Sequence, residues 1–133
     1  MADPARSNLP PGASLRGWLR HLAGDGRLVA ADGQALAFEL AACAKAVERE
    51  RAILFRRPGG HALRVVANLF ADRGWIAEAM GVPPAEVTRR FLAASEAPLP
   101  SRAVDDAPLR EVEVTTGIDL NRLLPVPTHN EHD

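Results

Sequence analysis

A chain of 133 residues with 47% hydrophobic and 25% charged side chains suits one modest domain with a real core, which excludes wholesale disorder. Sixteen basic residues against seventeen acidic ones leave a formal charge of -1, so there is no electrostatic footprint for nucleic acid. No apolar run approaches the ~20 residues that cross a bilayer. Met1–Asn8 lacks the apolar stretch expected of a secretory signal, and the lone Cys43 has no internal disulfide partner. The expected location is the cytoplasm.

Residues 1–13, with Pro4, Pro10, Pro11 and Gly12, read as a flexible leader. Ser14 is placed to cap a helix whose Leu15, Trp18, Leu19 and Leu22 recur at i, i+3, i+4 and i+7, a single apolar stripe. Gly24 is expected to supply its left-handed stop. Leu28–Ala31 is a short strand candidate closed by the Asp32-Gly33 turn. A second helix is predicted over about 36–49, with Leu36, Leu40, Cys43, Ala44 and Val47 on one face.

Ala52–Phe55 and 64–70 read as neighbouring strands joined by a turn at Pro58-Gly59-Gly60. Asp72 is expected to cap a third helix that stops at Gly81. Pro83-Pro84 starts a fourth, with Val87, Phe91 and Leu92 as its apolar face. Three prolines and Asp105-Asp106 then mark a linker over 95–108. Beyond it, 110–116 alternates with period two and predicts a strand, and Asp119 is placed to cap a short turn carrying Leu120, Leu123 and Leu124. Helices and strands that interleave over 14–94 predict an α/β (α+β) domain, a small mixed sheet flanked by about four helices.

The chemistry-bearing residues are few. His129, Glu131, His132 and Asp133 crowd the C-terminal end, and two imidazoles with a carboxylate suit zinc or manganese if brought to one side. Pro125 and Pro127 argue against a helix that would do so, and a solvent-exposed polar connector is the simpler reading. His61 in a turn, His21 half-exposed on the first helix and Cys43 on an apolar face are expected to be structural. Arg56-Arg57 and Arg89-Arg90 are expected on solvated surfaces, and the glycines at 59–60 lack the spacing of a phosphate loop. Asn68, polar inside an apolar strand, needs partners if buried and is expected to tie strand to loop. No residue is assigned a catalytic or cofactor-binding role.

Four blocks in order resemble the N-terminal region of the UbiD-type decarboxylases, enzymes that use prenylated FMN. They are Ser14–Leu19 with Gly26–Val29, then Ala52–Phe55 with Gly59-Gly60 and Val65–Phe70, then Ile76–Gly81, and finally Asp119–Asp133, which is similar to a "DL-x-x-LP-x-P-T-H-H-E-x-D" segment. Two departures stand out: Asn130 where the family often has histidine, and a reduced acidic run over 34–39.

The resemblance implies residues 14–94 as an N-terminal α/β domain. It makes the strand near 110–116 the first of an incomplete split β-barrel, and 109–133 the start of a flavin-binding domain otherwise missing from this chain. The implied reaction is reversible, non-oxidative decarboxylation of aromatic or α,β-unsaturated carboxylic acids. The implied cofactor set is prenylated FMN with manganese and potassium, and none of the family's ligands for it maps onto these residues. The chain alone is therefore expected to be inactive. Its expected partners are the flavin-binding and oligomerisation domains, in the same or a separate chain, within a homo-oligomeric enzyme. Two alternatives stay open: a stand-alone small or assembly subunit, and a small metal-binding module built on His129 and His132.

Overall fold

A computed structural model describes residues 9–101, 103–105 and 111–132. In chain order the elements are α1 (Leu15–Gly24), β1 (Leu28–Ala31), α2 (Glu39–Ala46), β2 (Ala52–Phe55), β3 (Val65–Ala67), α3 (Arg73–Met80), α4 (Val87–Glu96) and the single turn α5 (Leu120–Leu123). The three strands form one mixed sheet in the order β1-β2-β3. β2 runs parallel to β1, with Leu28 opposite Ala52, and antiparallel to β3, with Phe55 opposite Val65.

Side-chain alternation along the strands splits the core in two. Ala52 and Leu28 face α1 and α3, where Trp18, Leu22, Trp75 and Ala79 pack. Ile53, Phe55, Val29 and Ala31 face α2, which contributes Leu40, Cys43 and Ala44. The sheet is thus the middle layer of a small α/β/α sandwich, and the expected fold class holds.

Local capping chemistry works as the residue types dictate. Ser14 Oγ accepts from the Gly17 amide at 3.0 Å, Asp72 Oδ1 from Gly74 at 2.6 Å, and Asp119 Oδ1 from Asn121 at 3.0 Å. Gly81 closes α3 in the left-handed conformation. Gly59 is required twice over, since its φ is 56° and a Cβ there would stand 2.7 Å from Leu36 Cγ.

Five expectations need correction. α1 continues through Gly24, and the left-handed residue is Gly26, two positions later, because Asp25 still caps the helix through bonds to the Ala23 and His21 carbonyls. α2 begins at Glu39 instead of Leu36, because Leu36 and Phe38 make backbone bonds to Thr128. β3 is only three residues long because Asn68 takes φ 59° and leaves the extended region. The predicted apolar face of α4 is uncovered, with Phe91 66% and Leu92 55% exposed. Residues 111–116 form no strand and are exposed; a strand needs a neighbour's backbone groups, and no described strand lies beside them. Arg110 lies outside the described residues.

Candidate functional site

Two polar constellations stand out, and long-range packing builds both. The first joins α1, β1 and α3. His21, near the end of α1, places Nε2 2.6 Å from Glu78 Oε1 on α3. Arg27, leading into β1, donates from Nη1 to Glu78 Oε2 and from Nη2 to Glu78 Oε1, each at 2.7 Å, and from Nη2 to Asp25 Oδ2 at 2.6 Å. Aromatic rings frame the cluster: the Arg27 guanidinium lies 5.0 Å from the Trp75 ring centroid, and His21 stacks on Trp18 at 5.4 Å.

His21, Asp25 and Glu78 hold their ligand atoms within 4.8 Å of one another, as a metal site would. The guanidinium already occupies the cation's role, donating to both carboxylates. The arrangement is therefore an ion network that clamps α3 to α1, with no open coordination position.

The forked bond from Arg27 holds the Glu78 carboxyl down from its ordinary 4.5 to about 2, against the opposing effect of burial and with help from His21. Glu78 in turn raises Arg27 well above the usual arginine value. Because the folded-state value of Glu78 is the lower one, its stabilisation is complete above about pH 4.5 and is lost as pH falls toward 2. The Glu78 side chain is 35% exposed, so solvent screening reduces this contribution. Glu78→Gln should therefore lower stability at pH 7 by about 1 kcal/mol and flatten the acid limb between pH 4.5 and 2. Urea unfolding across that range checks it; parallel acid limbs for wild type and variant would contradict it.

The second constellation is an open groove of about 580 Å³ whose lining includes Phe38, Ala41, Lys45, Asn68, His129 and Asn130. Asn68 Nδ2 donates to the Ala44 carbonyl at 2.7 Å and the Arg51 carbonyl at 3.4 Å, the strand-to-loop tie expected of it. The C-terminal segment forms one wall because Thr128 is bridged to Ala37: the Thr128 amide donates to Leu36 O at 3.1 Å, and the Phe38 amide donates to Thr128 O at 3.0 Å. The tail is therefore docked on the domain and is not a free connector.

The remaining sequence candidates fall into place singly. His129, Glu131 and His132 are exposed and do not join a cluster of metal-ligating atoms among the described residues; Asp133 lies outside them. Zinc and manganese calorimetry should give the same isotherms for the wild type and the His129→Ala/His132→Ala double variant. Loss of a one-to-one site in the variant would restore the metal-module reading.

His61 ends the turn after Pro58, bonding that residue's carbonyl through its amide. Cys43 is a half-buried free thiol against the α2 core. Arg57 makes a two-pronged pair with Asp32 at 2.9–3.0 Å, which lowers the Asp32 carboxyl, and Arg89 pairs with Glu86; both are exposed. Sequence reading missed the Glu78 network because its partners lie 51 and 57 residues apart. The only local hint was His21 one helical turn from Trp18.

Residues 19–95 match the 3-octaprenyl-4-hydroxybenzoate carboxy-lyase N-terminal domain family, described as UbiD_N. Two solved structures of the UbiD-class enzyme HmfF from Pelotomaculum thermopropionicum are similar. One, an evolved dimeric form in complex with prFMN, is 40% identical with a TM-score of 0.80, over 88% of this chain and 28% of that one. The other, in complex with FMN, is 39% identical with a TM-score of 0.79, over 87% and 27%. The chain thus spans little more than a quarter of the length of these enzymes. No curated protein matches it.

Proposed function

This chain belongs to the UbiD carboxy-lyase family, matching its N-terminal domain, and from that premise we propose that it is the non-catalytic N-terminal domain of a UbiD-type decarboxylase. The proposed reaction is reversible, non-oxidative decarboxylation of an aromatic or α,β-unsaturated carboxylic acid. The observation that carries the reading is the 40% identity to a prFMN-bound UbiD-class enzyme over 88% of this chain, all within 28% of that enzyme's length.

The two polar constellations do not fit the flavin. Its phosphate needs free cations or converging amides, and its ring needs an apolar slot. Arg27 is committed to Glu78 and Asp25, and Lys45 to Glu48 at 2.7 Å. Trp18 is already packed against Trp75 and Phe70, at 6.3 and 6.0 Å between ring centroids. We therefore place prenylated FMN, manganese and potassium on other domains of the enzyme.

The role left to this chain is to pack on those domains. The uncovered Phe91 and Leu92 on α4 suit such packing, since large exposed apolar side chains grouped on one helix are costly unless they meet a partner. Among the described residues no helix is long and apolar enough to cross a membrane, which leaves a membrane-spanning role unsupported.

The test is direct. The purified chain, given prenylated FMN, manganese and potassium with an aromatic or an α,β-unsaturated acid, should release no CO2 above background. Co-expression with the flavin-binding and C-terminal domains should give release. Stoichiometric prenylated-FMN binding together with CO2 release by the chain alone would overturn the proposal.

A further inference from the structure

The start of α2 carries a conflict between local preference and tertiary contact. Leu36 shares the apolar face of α2 with Leu40, Cys43 and Ala44 and packs with them in the same core, so its side chain is placed as a helix residue would be. Its backbone is not helical. In a continued helix the Leu36 carbonyl would accept from the Leu40 amide; here it accepts from the Thr128 amide at 3.1 Å, and Leu40 N–H is diverted to the Ala35 carbonyl at 3.2 Å.

Ala37 is held in a parallel bridge to Thr128. At Phe38 the chain turns through φ 64°, ψ -36°, with Glu39 N–H donating to Ala37 O at 2.7 Å. That is a γ-turn of the rare, strained hand, placed on an aromatic residue that gains nothing from positive φ. The Phe38 ring is exposed and lines the groove beside α2, opposite His129 and Asn130.

We propose that segment 126–130 is a latch on α2. Docked, it holds residues 36–38 in the bridge and γ-turn. Released, those residues add a turn to the start of α2, the Phe38 strain is relieved, and the groove loses the wall formed by His129 and Asn130. The two states are mutually exclusive, because one carbonyl cannot serve both partners in these geometries and Ala37 cannot be extended and helical at once. The inference rests on these backbone contacts alone and stands whether or not the decarboxylase reading does.

Nuclear magnetic resonance on the intact chain tests it with three variants, two at the exposed Phe38 and one at the half-buried Thr128. Thr128→Pro removes the amide that bonds Leu36. It should give helical carbon shifts at 36–38 and reduce protection of the Phe38 amide by about tenfold, the scale of one lost net hydrogen bond or more. Phe38→Ala, which favours helix, should move the shifts the same way. Phe38→Gly, which tolerates positive φ and disfavours helix, should move them oppositely and increase Phe38 protection. Non-helical shifts at 36–38 in Thr128→Pro would overturn the latch, as would alanine and glycine at 38 shifting the segment in the same direction.

Discussion

Trp18→Ala is expected to lower the unfolding free energy by about 3–5 kcal/mol, a large share of the roughly 5–15 kcal/mol that holds a typical domain folded. Trp18 is 2% exposed and sits where α1, the sheet and α3 meet. Its truncation empties a cavity lined by Leu22, Ala52, Trp75 and Ala79. It also strands the Leu69 carbonyl, which accepts from Trp18 Nε1 at 2.8 Å, and removes the ring on which His21 stacks. Trp18→Phe keeps most of the apolar contact and loses the hydrogen bond, so it should cost about 1–3 kcal/mol. Urea unfolding followed by the fluorescence of Trp75 and by far-ultraviolet dichroism separates the two variants. An alanine variant within 1 kcal/mol of the wild type, taken here as roughly the average effect of any substitution, would mean that Trp18 is not the hub described.

Phe55→Ala is expected to cost a similar amount, about 3–5 kcal/mol, on the other face of the sheet. Phe55 is fully buried on the central strand, paired with Ala31 on one side and Val65 on the other. It packs in the cluster with Leu40 and Ile53, ringed by Val29, Ala31, Leu36 and Val65. The milder pair Trp18→Phe and Phe55→Leu probes the layering itself. The two residues belong to different clusters on opposite faces of the sheet, so their costs should add to within about 0.5 kcal/mol. A larger coupling would show that the two halves of the core are one.

Elements specified by near neighbours in the chain were legible before any coordinates. The caps at Ser14, Asp72 and Asp119 each act within three residues. The strands at 28–31 and 52–55 are short apolar runs between turn signals, and they lie where expected. Asn68 was legible as a structural tie because a polar amide inside an apolar run must find carbonyls where water is partly excluded, and half-buried it finds those of Ala44 and Arg51. The family was legible too, from four short blocks kept in order, since linear order survives in a sequence whatever the fold does with it.

Candidate chemistry was read less well, and for one reason. His129, Glu131 and His132 attracted attention by adjacency, yet in the exposed stretch that they occupy their ligand atoms do not join a metal-ligating cluster among the described residues. The true cluster, His21, Asp25, Arg27 and Glu78, needed α3 to fold back across α1 before its charges could meet. Its residue types are ordinary for solvated helix faces, so nothing in the linear pattern set them apart.

By itself, then, the sequence determined the alternation of helices and strands over residues 14–94, the capped starts of α1, α3 and α5, and the family to which the chain belongs. These follow from side-chain type, periodicity and order, which are local or linear properties. Only the tertiary structure decided that Arg27 fills the cation position between Glu78 and Asp25, that α2 starts three residues late, and that the C-terminal segment is docked on the domain. The docking of Thr128 onto Leu36 and Phe38 is made wholly of backbone amides and carbonyls. Every residue carries those groups, so no side-chain pattern announces which of them will meet.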